Sequence, residues 1–138
     1  MRAIVTGGAG FIGSHVVDAL VSRDVEVAVV DSLVHGSEEN VPAAAALHVR
    51  DVREPLDDLF AAVRTGAVFH LAAQADVRVA VEDPVGDADV NVLATVRILE
   101  AARQHDAQVV FASTGGAIYG ECVEPAREDS PREPLSPC

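Results

Sequence analysis

Short apolar runs alternate with longer amphipathic stretches along the chain. The runs are mostly aliphatic and predict β-strands at 2–6, 25–30, 46–49, 68–73 and 108–112. The second run ends in Ala28-Val29-Val30, which is typical of a strand buried on both faces. A regular alternation of such strands with helices predicts a parallel sheet that is covered on both sides.

Between the strands, apolar residues recur at helical spacing and predict helices at 11–23, 55–63 and 87–104. The predicted buried faces are Ile12, Val16, Ala19 and Leu20 in the first helix, and Val90, Leu93, Ala94, Ile98, Ala101 and Ala102 in the last. Residues 32–45 and the proline-rich part after Tyr119 are predicted as loops. We therefore expect an α/β fold, a Rossmann-like doubly wound parallel sheet with strand order 3-2-1-4-5.

A glycine-rich stretch, Thr6–His15, joins the first predicted strand to the first predicted helix. Gly7, Gly10 and Gly13 recur at three-residue steps and leave room for a phosphate to approach the backbone. The free N–H groups and the positive end of the helix dipole would hold that anion. A glycine turn without a ligand is the alternative, but the strand before it and the helix after it favour dinucleotide binding.

Asp31 ends the second predicted strand, 18 residues after Gly13. This is close to the spacing of about 20 residues at which an acid binds the adenosine ribose of a dinucleotide. The alternative is a solvated acid at the end of a strand. No arginine occurs at 32–37, so a 2′-phosphate would meet an acid without a nearby cation, and NAD is favoured over NADP.

Composition and charge narrow the function further. The 138 residues predict one domain, and 49% hydrophobic residues with 4% aromatics predict an aliphatic core. The net charge of −12 favours neither nucleic acid nor an anionic membrane as a partner. All ten Lys-or-Arg positions are arginines, which excludes a Walker A loop and a Schiff-base lysine in this chain.

Neither a signal peptide nor a membrane span is recognised, and we expect a cytoplasmic protein. We also expect free thiols at Cys122 and Cys138 and no metal site.

Together these motifs resemble the N-terminal part of an extended short-chain dehydrogenase/reductase, in the UDP-glucose 4-epimerase-like branch. The resemblance is carried in order by 6–13, Asp31, Asp51-Val52, His70-Leu71-Ala72-Ala73, Glu82-Asp83-Pro84, Asn91-Val92 and 113–120. It implies that the cofactor is NAD. The residues that it implies for cofactor binding are Gly7, Gly10, Phe11, Ile12, Gly13, Asp31, Ser32, Gly36, Asp51, Val52, Leu71, Ala72, Ala73 and Asn91. Alternatives stay open: Leu71 and Ala72 as core residues, Asp51 paired with Arg50 or Arg53, and Asn91 as a tie to a neighbouring strand end.

The resemblance also implies catalytic residues. A hydroxyl at the end of the fifth strand would bond the reacting sugar hydroxyl, with Thr114 as the first candidate and Ser113 as the second. The family places this hydroxyl four residues before its Tyr-Gly pair, where this chain has Gly115. Tyr119 matches a structural tyrosine. The catalytic Tyr-x-x-x-Lys is expected after Ser136-Pro137, where the sequence ends with Cys138.

We therefore expect residues 1–138 to be a partial, C-terminally truncated NAD-binding domain without the final strands and the substrate domain. The full-length parent is expected to be a homodimer that epimerises a nucleotide sugar, most simply a UDP-sugar, whereas this chain alone is expected to be inactive. The alternatives are a nucleotide-sugar dehydratase or reductase, a non-catalytic NAD(H)-binding module and, from another class, a methyltransferase. The fifth strand is expected to be an edge on which Val109, Val110 and Phe111 are poorly covered, so a marginally stable or self-associating protein is expected.

Overall fold

The computed structural model describes residues 1–114 and 118–134. Five parallel strands form one sheet in the order β3-β2-β1-β4-β5. The strands are β1 (Arg2–Thr6), β2 (Glu26–Asp31), β3 (Ala46–Val49), β4 (Ala67–His70) and β5 (Gln108–Phe111). The predicted fold class and strand order are confirmed.

Helices cover both faces of the sheet. They are α1 (Phe11–Val21), α2 (Asp57–Val63), α3 (Val77–Glu82), α4 (Pro84–Ala88) and α5 (Ala94–Gln104), with a 3₁₀ turn at Glu38–Asn40. A π-helical turn, Asp89–Leu93, joins α4 to α5 without a break. The three segments Pro84–Gln104 thus act as one long helix, three residues longer at its start than predicted because the Asp83 carboxylate accepts from the N–H of Gly86 and caps it.

The central strands are buried on both faces, as their apolar runs predicted. On one face Ile4, Ala28 and Val30 pack with residues of α2 and α5 such as Phe60 and Ile98. On the other face Val5, Val27 and Val29 pack with Val17 of α1. A parallel sheet covered in this way exposes only its strand ends, so the carboxyl-terminal edge is where residues converge on a ligand.

Several local predictions were wrong. Ile12 was placed on the buried face of the first helix, but its side chain is 65% exposed, and Gly13, Ser14 and Val17 face the sheet instead. Leu93 was placed in the last buried stripe and is 50% exposed, because the π-helical turn changes the helical phase at this point. Helix α2 ends at Val63 as predicted, with Arg64 after it in a left-handed conformation, but it begins at Asp57 and not at residue 55.

Strand β5 is an edge of the sheet, with Val110 and Phe111 each more than half exposed and Val109 partly buried. The predicted self-association through this strand stays a prediction. Within the described residues, no helix is long and apolar enough to cross a membrane, and no group of three metal-ligating side chains is found.

Candidate cofactor site

A groove of about 350 Å³ lies at the carboxyl-terminal edge of the sheet, where β1, β2 and β4 end. The chain passes from β1 to β2 and β3 on one side and then crosses to β4 and β5 on the other, so the groove lies where the strand order reverses. Crevices at this point of an open α/β sheet are the usual ligand sites. Its walls are the glycine turn, the loop after β2, the segment after β3 and the segment after β4.

The glycine turn brings the start of α1 to the groove. Gly10 precedes the helix without a side-chain cap, and no acceptor among the described residues pairs with the N–H groups of Phe11, Ile12 and Gly13. A Cβ on Gly10 would meet only the Gly7 carbonyl oxygen, at 3.3 Å, so the backbone is open to a close ligand. Three free N–H groups at a helix N-terminus, beside a glycine, fit a diphosphate.

Two further glycines of the turn, Gly7 and Gly13, serve packing. Gly7 has φ +70°, and a Cβ there would lie 2.7 Å from the backbone nitrogen of Ala72, at the exit of β4. A Cβ on Gly13 would overlap the carbonyl oxygen of Gly7. These two positions therefore allow the turn, the helix and the β4 exit to pack against each other.

Asp31 ends β2 beside the glycine turn and lines the same groove. Its Oδ2 accepts from the N–H of Ala9 at 3.0 Å, and its Oδ1 accepts from the N–H of Leu33 at 2.8 Å. Each oxygen keeps a second lone pair for a ligand hydroxyl. The side chain is thus fixed before any ligand arrives, in a position that suits two neighbouring hydroxyls of a ribose.

Arginines follow β3 in the same groove. Arg53 donates from Nη2 to Asp51 Oδ2 at 2.6 Å and from Nε to Oδ1 at 3.0 Å. The hydrogen bond from Arg53 lowers the pKa of the Asp51 carboxyl, and the same bond raises the pKa of Arg53. Arg50 is paired with Asp58. The absence of arginine at 32–37 therefore did not show that two arginines from the segment after β3 line the same groove, each paired with a carboxylate.

A buried chain of hydrogen bonds supports the wall after β4. The hydroxyl of Thr95 donates its only hydrogen to the carbonyl of Asn91 at 2.8 Å. The Thr95 oxygen can therefore only accept from His70, whose Nε2–H lies 3.0 Å away. Nδ1 of His70 then accepts from the hydroxyl of Thr6 at 2.6 Å. The Thr6 oxygen in turn accepts from the N–H of Ala72 at 3.3 Å. Burial lowers the pKa of His70, in keeping with the neutral ring that this chain requires.

Asn91 fixes the next part of that wall. Its Oδ1 accepts from the backbone N–H of Gln74 at 2.9 Å, and its Nδ2 donates to the Gln74 carbonyl at 2.8 Å. Buried Asp87 accepts from both side-chain amides at 3.0 Å. Asn91 therefore ties the long helix to the segment after β4, one of the two roles considered for it, and does not line the groove.

Comparisons with known proteins agree with this geometry. Residues 3–138 match the profile of the NAD dependent epimerase/dehydratase family. The chain is 46% identical to a putative UDP-glucose 4-epimerase of Methanocaldococcus jannaschii over 97% of its length and 45% of the relative's. It is 42% identical to the UDP-glucose 4-epimerase of Mycolicibacterium smegmatis, covering 99% of this chain and 46% of that one.

Solved structures give the same result. The UDP-glucose 4-epimerase of Thermus thermophilus, in complex with NAD, superposes with a TM-score of 0.93 at 51% identity. The enzyme of Thermotoga maritima, with UDP-glucose, superposes with a TM-score of 0.94 at 42% identity. Each match covers 99% of this chain and 46% of the solved one. The chain belongs to the NAD-dependent epimerase/dehydratase family. It spans less than half the length of these relatives.

Most residues that the family resemblance implies for cofactor binding line the groove. These are Gly7, Gly10, Phe11, Asp31, Ser32, Gly36, Asp51, Val52, Leu71, Ala72 and Ala73. Gly36 is also held against the glycine turn, where a Cβ would lie 2.9 Å from that of Ala9. Ile12 and Gly13 are outside the lining, and their backbone N–H groups have no acceptor among the described residues. The binding roles themselves stay predictions.

The two predicted catalytic residues, Ser113 and Thr114, follow β5 at the same edge of the sheet, exposed and outside the groove lining. Thr114 accepts from the N–H of Ile118 at 3.3 Å through its backbone carbonyl. Gly115 and Cys138 lie outside the described residues. Gly115 occupies the position at which the family has its catalytic hydroxyl, so the choice between Thr114 and Ser113 stays a prediction. Tyr119 is half-buried.

Sequence reasoning missed His70 and Gln74 as parts of the site. His70 was quoted only as a member of a motif, and its role depends on Thr6 and Thr95, which come from β1 and α5. A histidine flanked by apolar residues inside a strand was the available signal. Gln74 carried no such signal, because its role arises from the fold of an irregular segment.

Proposed function

We propose that residues 1–138 form the NAD(H)-binding part of a nucleotide-sugar epimerase. The observation that carries this proposal is that three N–H groups at the start of α1, without an acceptor among the described residues, and a fixed carboxylate, Asp31, lie at one groove. A dinucleotide presents a diphosphate to such N–H groups and a ribose to such a carboxylate.

The groove residues would each have a definite task. The N–H groups of Phe11, Ile12 and Gly13 would hold the diphosphate, and Asp31, beside Ser32 and Gly36, would accept from the adenosine ribose hydroxyls. Asp51 would accept from the adenine amino group next to Val52. The remaining wall, Leu71, Ala72 and Ala73, would face the nicotinamide ribose, with Asn91 fixing that wall from behind. When bound, NAD⁺ supplies a reversible hydride acceptor.

For the whole protein we propose epimerisation of a UDP-sugar at a carbon that bears a hydroxyl. The support is family membership together with the relatives, which are UDP-glucose 4-epimerases. Thr114, or Ser113, would bond the sugar hydroxyl from the end of β5. Either residue would bind and orient the sugar.

Cofactor binding is tested by calorimetric titration of the chain with NAD⁺, with S-adenosylmethionine as a competitor. We expect saturable binding of NAD⁺, a thermal shift that grows with its concentration, and no competition. An absence of heat and of any thermal shift at millimolar NAD⁺ would refute the proposal, and displacement by S-adenosylmethionine would favour a methyltransferase.

Activity is tested on the whole protein by following interconversion of UDP-galactose and UDP-glucose. Substituting Thr114 by Ala should lower kcat more than the Ser113→Ala change does, since Thr114 is the first candidate for the sugar hydroxyl. Loss of the sugar hydroxyl without epimerisation would instead identify a dehydratase. Turnover by residues 1–138 alone would contradict the expectation that this part only binds.

We also propose that the whole protein is a homodimer and that it works in the cytoplasm, with neither nucleic acid nor membrane as a partner. The long helix supports the first point, because Val85, Val92, Val96 and Leu99 are all more than 45% exposed and recur at heptad-like spacing. Light scattering should give a dimer that Val96→Asp dissociates. The matched control is Val123→Asp, at a fully exposed valine far along the chain, which should leave the mass unchanged.

A further inference from the structure

The part of the groove around Asp31, where the adenosine would bind, contains an arginine that is paired with a neighbouring carboxylate. Arg50 lines the groove together with Asp31, and its backbone N–H donates to the Asp31 carbonyl at 3.1 Å. A free guanidinium group beside the residue that meets the ribose would favour a dinucleotide with a 2′-phosphate, because arginine binds phosphate in a charge-assisted, bidentate manner.

The guanidinium group of Arg50 is not free. Its Nη1 lies 2.9 Å from both Oδ1 and Oδ2 of Asp58, on the first turn of α2. Its Nη2 donates to the carbonyl of Pro55, and its Nε lies 3.8 Å from the carboxylate of Glu54. The hydrogen bond from Arg50 lowers the pKa of Asp58, which is therefore ionised at neutral pH. All three nitrogens of the group are thus directed at acceptors on the α2 side.

The second arginine of the groove is held in the same way. Arg53 donates to Asp51 through its Nε, its Nη2 and its backbone N–H. Each cation at this end of the groove is therefore matched with a carboxylate, and Asp31 adds one more negative charge. Asp51 lines the groove, whereas Asp58 and Glu54 do not, and of these two Asp58 makes the closer contact with Arg50, at 2.9 Å against 3.8 Å.

We propose that Asp58 is a specificity-determining residue: by holding Arg50 against α2, it keeps the groove selective for a dinucleotide without a 2′-phosphate. This proposal rests on the proposed function of the groove. Asp58 acts through Arg50, both by occupying the hydrogen-bond donors of the guanidinium group and by cancelling its charge. Stability does not account for the pair, since exposed ion pairs contribute little to it.

The test compares adenosine 5′-monophosphate with adenosine 2′,5′-bisphosphate, which differ only in the 2′-phosphate, by calorimetric titration at fixed ionic strength. In Asp58→Asn, affinity for the bisphosphate should rise about 3- to 10-fold relative to the wild type. Affinity for the monophosphate and for NAD⁺ should stay within about twofold. Adding Arg50→Gln to Asp58→Asn should abolish the gain, because Arg50 is the group that Asp58 releases.

The matched control is Asp57→Asn, which removes the same charge one residue earlier on α2. Asp57 makes no ion pair with an arginine of the described residues, so this change should give less than half the gain. Equal gains in both variants, or an unchanged ratio of affinities in Asp58→Asn, would overturn the proposal while NAD⁺ binding stands. Failure of the wild type to bind NAD⁺ would overturn both. Thermal melts, with Asp58→Ser as a second variant, establish that each protein is folded.

Discussion

At the scale of single residues, Asp31 serves the fold and the groove at once. Its two oxygens accept from the N–H groups of Ala9 and Leu33, and Leu33 adopts a left-handed φ of +58° where it makes this bond. In Asp31→Asn, one of these N–H groups would face an amide donor. We expect a loss of about 1–3 kcal/mol in stability and about tenfold weaker NAD⁺ binding by calorimetry. Asp18→Asn, at an exposed position on α1, should change neither quantity.

His70 makes a second prediction at this scale, since its ring must stay neutral. Burial lowers its pKa from the ordinary 6.5, so the unfolded chain binds the proton more readily than the folded one. The free energy of unfolding should therefore be highest above pH 6.5 and fall as the pH drops below it. His70→Gln keeps a donor toward Thr95 and loses the acceptor for Thr6, which should cost about 1–2 kcal/mol.

The same variant supplies the control for that prediction. Because glutamine does not titrate, urea denaturation of His70→Gln should show a smaller change in stability between about pH 7.5 and about pH 5 than the wild type. An equal change in the two proteins would mean that other groups cause the pH dependence. The carboxylates, whose ordinary pKa values lie near about 4, titrate mostly below this range.

Residue-scale prediction from the sequence succeeded where a position follows from spacing along one chain segment. Gly10 and Asp31 were placed in one groove because a strand–turn–helix–strand unit has a fixed length. Arg50 and His70 were not assigned, because their partners come from other elements: Asp58 from α2, and Thr95 from α5. Such pairings depend on how helices sit on the sheet, which local patterns do not specify.

At the scale of elements, different glycines of the turn serve packing and binding, so the two can be tested separately. In Gly13→Ala the new Cβ would overlap the Gly7 carbonyl oxygen, which is backbone and cannot move aside cheaply, so stability should fall by about 3 kcal/mol. In Gly10→Ala the methyl group is tolerated by the fold and enters the space that a diphosphate would use. We expect a melt close to the wild type and about tenfold weaker NAD⁺ binding.

Gly66→Ala is the control for both variants, because a Cβ at Gly66 meets nothing within 4 Å. Its thermal melt and its NAD⁺ affinity should equal those of the wild type. A Gly10→Ala protein that binds NAD⁺ as the wild type does would show that the turn does not approach the ligand closely. A stable Gly13→Ala protein would contradict the packing of α1 against the turn.

Helices and strands could be predicted from the sequence where burial gives the apolar residues one regular spacing. The five strands carry continuous apolar runs and were found, whereas α3 was missed. Its sequence, Val77-Arg78-Val79-Ala80-Val81-Glu82, alternates with the period of a strand, and only Ala80 is buried. The π-helical turn was missed as well, because a single wide turn leaves no periodic signal.

At the scale of the whole molecule, charge dominates the expected behaviour. Twenty-two acidic residues outnumber ten arginines, and the eight ion pairs among the described residues join eight acids to seven arginines, which leaves the excess of negative charge in place. These pairs are partly or largely exposed and contribute little each, so repulsion among the remaining carboxylates should outweigh what the pairs gain. Salt screens both the repulsion among the carboxylates and the attraction within the ion pairs. Whether salt raises or lowers stability therefore shows which of the two effects is larger.

We expect salt to stabilise the protein. Raising NaCl from about 10 mM to about 500 mM shortens the Debye length from about 30 Å to about 4 Å, which removes long-range repulsion and leaves the close pairs at 2.6–3.8 Å less affected. The melting temperature should rise by about 3 °C or more, corresponding to roughly 1 kcal/mol. Choline chloride should act like NaCl, whereas sucrose at equal osmolality controls for solvent exclusion. A melting temperature that falls with salt would mean that the ion pairs, Arg50–Asp58 among them, stabilise the fold more than the excess charge destabilises it.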